Sequence, residues 1–169
     1  MELTKTHDNF PIWIVILSNS VSIIIYLTGF LITYYLSWIV AILYLGLILT
    51  LEYRLLSKHC VNCFYWGKTC GLGKGRISFL FFKRGDTTKF CEKNLTWKDM
   101  VPDILVSLIP LLIAIALMIT RFSFILLFSA IILIGLTTIG NGFIRGNLTC
   151  KYCKQREIGC PAEQLFSKK

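Results

Sequence analysis

The chain has 169 residues, of which 55% are hydrophobic, with a mean hydropathy of +0.67 and a formal charge of +9. Soluble globular proteins use about 45–50% apolar residues, so a water-soluble packed domain is excluded as the first reading. The positive charge would suggest nucleic acid in a soluble chain, but its distribution gives a membrane account instead.

From Asn9 to Leu51 no residue is charged. A helix crosses a hydrocarbon core of about 30 Å with about 20 apolar residues, so this run is long enough for two crossings and too long for one. A cleaved signal peptide does not fit, because the leader "MELTKTHDNF" has mixed charge and no small-residue cleavage site follows a short apolar core. The turn is expected near "GFLITYY", residues 29–35, with Tyr34, Tyr35 and Trp38 in one aromatic belt and Trp13 and Trp97 in the other.

Segment 52–100 follows, with ten Lys/Arg and the stretch "HCVNCFYWGKTC", residues 59–70. "GLGKGR", residues 71–76, lacks the P-loop pattern and reads as glycines that let the chain turn. "RISFLFF" has strand character and "KRGDTTKF" can turn it back, so a small β-hairpin is expected, with the RGD at 84–86 as its turn. Thr96 and Asp99 make a helix start before the third crossing.

The second apolar stretch runs from Ile104 to Ile144, interrupted only by Arg121 in "MITRFS", which marks a second hairpin turn; Pro110 is placed to kink the third helix. The tail, 142–169, carries six more Lys/Arg. Lys/Arg bias toward the cytoplasm sets orientation, so both basic segments and both termini are expected inside. The two "NLT" triplets, at 94–96 and 147–149, are then on the wrong side to accept glycans.

A shift of 90 places Cys60, Cys63 and Cys70 on Cys150, Cys153 and Cys160, and the apolar span 11–51 on 101–141. The predicted architecture is an all-α integral membrane protein. Four transmembrane helices form two parallel hairpins related as an internal repeat, each closed by C-x2-C-x6-C. The divisions are a segment with hairpin 1 at 1–52, a cytoplasmic Cys-rich loop at 53–100, hairpin 2 at 101–144 and a cytoplasmic Cys-rich tail at 145–169.

All seven cysteines lie in the two basic segments. Cytosolic thiols stay reduced, so such groups point to metal ligation or redox chemistry rather than structural disulfides. A C-x2-C turn lets two thiolates grip one soft cation, and four sulfurs complete the tetrahedron zinc favours. Cys60, Cys63, Cys70 and Cys91 could close one site, or Cys60, Cys63, Cys150 and Cys153 could share one. His59 is a further candidate ligand, with a solvated loop residue as its plainer reading.

The half-motifs "CVNCFYWGKTC" and "CKYCKQREIGC" resemble the two halves of the fungal binuclear zinc cluster. That resemblance implies two zinc ions held by six cysteines, with Cys60 and Cys150 as bridges. The family's short linker is here replaced by 79 residues with two crossings, and DNA recognition is not carried over. Cys160 followed by Pro161 resembles the end of a bacterial ferredoxin run, though the C-x2-C-x2-C of that run is absent. The overall make-up resembles that of small prokaryotic-type membrane proteins.

The expected function is binding of zinc, ahead of an iron–sulfur cluster, through Cys60, Cys63, Cys70, Cys150, Cys153 and Cys160, with Cys91 as an additional ligand. Thiols that hold no group are the plainer reading. A membrane thiol–disulfide oxidoreductase is the second reading, because Lys58, Lys68, Lys151 and Lys154 would favour thiolates. A small transporter is the third, resting on Ser18, Asn19, Ser20 and Ser22 in the first helix; such residues more often pack helices together. Expected partners are the lipid bilayer and a second copy or another membrane protein, with no specific nucleic acid. No catalytic triad, carboxylate pair or HExxH is present for hydrolysis.

Overall fold

The computed structural model describes residues 6–91 and 97–160, without the side chains of residues 89 and 97–100. Among these residues every named element is helical. Four helices are long and apolar enough to cross a membrane: Ile12–Leu36, Trp38–Asn62, Val101–Thr120 and Phe124–Tyr152. The shortest has 20 residues, which at 1.5 Å per residue covers a hydrocarbon core.

Helix α1 (Ile12–Leu36) is central and packs against α2 (Trp38–Lys58), α5 (Trp97–Thr120) and α6 (Phe124–Gly135). Its buried face mixes Val21, Ile25 and Ile32 with Ser18, Thr28 and Thr33, and meets Ala114, Ala130 and Leu133. Thr33 returns its hydroxyl to Gly29 O at 3.0 Å, so burying it leaves no orphan donor. Large apolar residues such as Leu43, Ile119 and Phe128 point outward. Small and satisfied polar residues inside with bulky apolar ones outside is the distribution a bilayer selects.

The expected turn at 29–35 is helical instead, and the break falls at Ser37, whose backbone is extended at φ −167° and ψ 144°. Ser37 Oγ accepts from Ile39 N and caps α2. Gly29 serves packing rather than turning: a Cβ there would lie 2.2 Å from Tyr44 Oη. That close approach lets Tyr44 Oη donate to Val106 O of α5 at 2.8 Å, tying three helices.

The expected β-hairpin is also replaced by helix. Gly73, at φ +71°, reverses the chain into α3 (Lys74–Phe81), and α4 (Thr87–Cys91) follows the RGD stretch. A short apolar run does not by itself distinguish strand from helix. Here Gly75 sits where a Cβ would meet Tyr65 O at 2.1 Å, and Ser78 Oγ donates to Leu56 O, so one helical face docks on the loop and on α2. A lone two-stranded ribbon would lack such support.

The boundaries expected at 52 and 144 fall within helices. Glu52 and Arg54 end the uncharged run, yet α2 continues to Lys58 because continued helix satisfies the backbone. Beyond α6 the chain winds through π-helical Leu136–Gly140, one α turn (α7, Asn141–Phe143) and π-helical Ile144–Thr149. Helix α5 runs through Pro102 and Pro110 without interruption. The helix start expected at Thr96 lies outside the described residues, as does the side chain of Asp99.

Candidate functional site

The two C-x2-C segments adopt one backbone shape. Cys60–Asn62 and Cys150–Tyr152 are single 3₁₀ turns. Cys63 N donates to Cys60 O at 3.3 Å, and Cys153 N to Cys150 O at 3.2 Å. Trp66 N then donates to Cys63 O, and Arg156 N to Cys153 O, both at 3.1 Å. The backbone N–H of Tyr65 reaches the Cys63 sulfur and that of Gln155 reaches Cys153, again 90 residues apart. Amide donors aimed at sulfur favour its thiolate form. The shift of 90 does not carry through the hairpin tips, however, since it would place the Ser37 break on Leu127, inside α6.

Three chain segments converge to bring these turns together. Phe64 N donates to Gln155 Oε1 at 2.7 Å. Tyr65 Oη donates to His7 O at 2.5 Å and accepts from Lys154 N at 2.9 Å. His7 N donates to Tyr152 O at 3.0 Å, and Asp8 pairs with Lys154 at 2.6 Å. The N-terminal segment, the first loop and the tail therefore meet at one end of the helices. Phe10, Ile14 and Tyr65 form the buried cluster on which Cys63, Cys70 and Cys153 pack.

All seven cysteines are free thiols. Cys63 lies within electrostatic reach of Cys153, Cys70 and Cys160, Cys153 of Cys150 and Cys160, and Cys60 of Cys70 and Cys63. Cys70 Sγ accepts from Gly75 N at 3.4 Å. Cys91 stands apart from the first group: its sulfur lies 3.6 Å from Gln155 Nε2 and 3.8 Å from Ile158 O, beside α8 (Lys154–Gly159). Among the described residues, no three His, Cys, Asp or Glu side chains are gathered tightly enough to hold a metal ion as they stand.

At Cys63 and Cys153 burial opposes ionisation, and two of the lysines are engaged elsewhere. Burial pushes the Cys63 thiol up to about 12 and the Cys153 thiol up to about 11, against an ordinary value near 9. Lys154 is committed to Asp8, and Lys68 lies 3.9 Å over the Phe64 ring. Asn19 Nδ2 donates to Val15 O and to Leu72 O, which fastens the glycine loop to α1, and Ser22, whose hydroxyl donates to Ser18 O, borders a cavity between the helices.

One polar feature had no sequence signal. Tyr26 Oη donates to Glu52 Oε1 at 2.7 Å, and Lys74 Nζ holds both Glu52 oxygens at 2.6 and 2.5 Å. Glu52 and Lys74 are 22 residues apart, and only the docking of α3 on α2 joins them. The pair lines a cavity of about 390 Å³ between the helices. No family model, curated protein or solved structure matches this chain.

Proposed function

We propose that this multi-pass membrane protein binds a metal, zinc ahead of an iron–sulfur cluster, through sulfurs contributed by both halves of the chain. The ligand set that fits best is Cys63, Cys70, Cys153 and Cys160. The observation that carries the reading is the seating of the two turns on one another, with Cys63, Cys70 and Cys153 packed on the same Phe10–Ile14–Tyr65 cluster. The matched 3₁₀ turns and their N–H donors support it. Gathering the four sulfurs to the about 2.3 Å of a zinc–thiolate bond takes movement of the side chains, which metal binding would drive. Cys60 and Cys150 stand next to this set, and the site serves structure, sensing or electron transfer on the cytoplasmic face.

Metal analysis and an absorption spectrum of anaerobically purified protein test the reading. Stoichiometric zinc in colourless protein, or iron with sulfide in brown protein, is the expected result; metal-free protein with seven titratable thiols overturns it. A shared site predicts that Cys63→Ser and Cys153→Ser each empty it, whereas two separate sites lose half. Orientation is read separately, by membrane-impermeant maleimide on intact cells: exposed Cys150 is expected to stay unlabelled until the membrane is opened.

A further inference from the structure

The cavity holding the Tyr26–Glu52–Lys74 network has a charge arrangement that the network itself does not use. Its wall includes Asp103 of α5 and Arg145 of the π-wound segment, on two helices that run antiparallel and end together. Glu52 and Lys74 neutralise one another. Asp103 and Arg145 have no ion-pair partner among the described residues. One carboxylate and one guanidinium, both exposed, thus border a shared space without an ion pair to any described residue. Charged residues in or beside spanning helices commonly mark a ligand path.

The rest of the wall is mixed: Ile25, Ile48, Leu51 and Val106 form an apolar strip, and Ser22 and Ser107 add hydroxyls. Asn141 and Thr137 precede Arg145 at four-residue steps on the same wall, and π winding is frequent at functional sites. A cavity of about 390 Å³ falls within the usual range for small-molecule sites.

We propose that this cavity takes a zwitterionic amphiphile of the phosphoethanolamine class, its phosphate on Arg145, its ammonium on Asp103 and its acyl chains along the apolar strip. A purely anionic head group would bring its charge to Arg145 but leave Asp103 opposed. Guanidinium–phosphate and ammonium–carboxylate contacts are both charge-assisted, so the preference for a zwitterion rests on two strong bonds rather than shape.

The test is the thermal midpoint of detergent-purified full-length protein, titrated with dioctanoyl phosphatidylethanolamine, dioctanoyl phosphatidylglycerol or free phosphoethanolamine. The ethanolamine lipid is expected to stabilise with a half-maximal concentration about tenfold below that of the glycerol lipid. Asp103→Asn should abolish that preference, and Arg145→Gln should weaken both lipids about tenfold. Asp103→Glu and Arg145→Lys keep the charges, so they should retain the preference and guard against a folding defect. Free phosphoethanolamine acting as well as the lipid supports the same site with a soluble source. An equal response to both lipids, or a response unchanged in Asp103→Asn and Arg145→Gln, overturns the proposal.

Discussion

Phe64 N–H donates to Gln155 Oε1 at 2.7 Å, so the residue after Cys63 is fastened to the residue two beyond Cys153 across 91 positions of sequence. Gln155 is 2% exposed, and its amide nitrogen also reaches Gly159 O and Cys91 Sγ. Gln155→Leu fills similar volume but strands a half-buried N–H, and a loss of about 1–3 kcal/mol is expected. Chemical or thermal unfolding of the purified protein measures it, and an unchanged midpoint would contradict this role.

Tyr65→Phe keeps the buried ring and removes only the hydroxyl that links His7 O to Lys154 N. A destabilisation of about 1–3 kcal/mol is expected from the two bonds lost. Because the tail is held through Lys154, limited trypsin digestion should cut at Lys151 and Lys154 faster than in the wild type. A Tyr65→Phe protein with wild-type cleavage kinetics would show that other contacts hold the tail.

At Gly29 the prediction is a coupling. Gly29→Ala places a methyl 2.2 Å from Tyr44 Oη and must push the ring from its bond to Val106 O. Overpacking of this kind costs about 1–3 kcal/mol. In a Tyr44→Phe background the clash is with a ring edge alone, so Gly29→Ala should cost less there; strictly additive effects in an SDS unfolding titration would contradict the close approach.

Glu52 and Lys74 form a partly exposed pair, with side chains 26% and 15% accessible. Removing either charge leaves the other half-buried without its partner, and Glu52→Gln or Lys74→Met is expected to cost about 1–2 kcal/mol after allowing for residual solvent. The double variant should cost less than the sum. Independent, additive losses would mean that the two residues act separately.

Thiol reactivity has a definite pH direction in chelator-treated, metal-free protein. The folded state keeps the protons on Cys63 and Cys153 to about 12 and about 11, whereas an unfolded thiol gives its proton up near 9. Between these values the folded protein binds more protons, so stability is retained below about pH 9 and falls as pH rises through that window. Iodoacetamide at pH 7.5 should modify exposed Cys150 first, with Cys63 and Cys153 accelerating only at alkaline pH. Fast modification of Cys63 at neutral pH would favour the oxidoreductase reading.

The long apolar runs alone announced four helices long and apolar enough to cross a membrane, because in hydrocarbon a single span satisfies its own backbone only as a helix. Local chemistry misled at two places. Gly29 reads as a turn residue, but its lack of a Cβ is used by Tyr44 from another helix. "RISFLFF" carries β-favouring side chains, yet its Gly75 and Ser78 meet Tyr65 and Leu56, and that docking selects helix. Both depended on a surface contributed by distant residues, which no local window contains.

By itself the sequence determined the membrane class, the matched C-x2-C-x6-C halves and the basic segments that carry them, since these depend on residue type and spacing along the chain. Only the tertiary structure decided that Cys63, Cys70 and Cys153 pack on one buried cluster, that Cys91 lies beside Gln155, and that Glu52 meets Lys74 under Tyr26. Such meetings follow from the packing of α1 against its neighbours and the seating of the tail on Tyr65, where burial and hydrogen bonding between distant segments outweigh the preferences of any one of them.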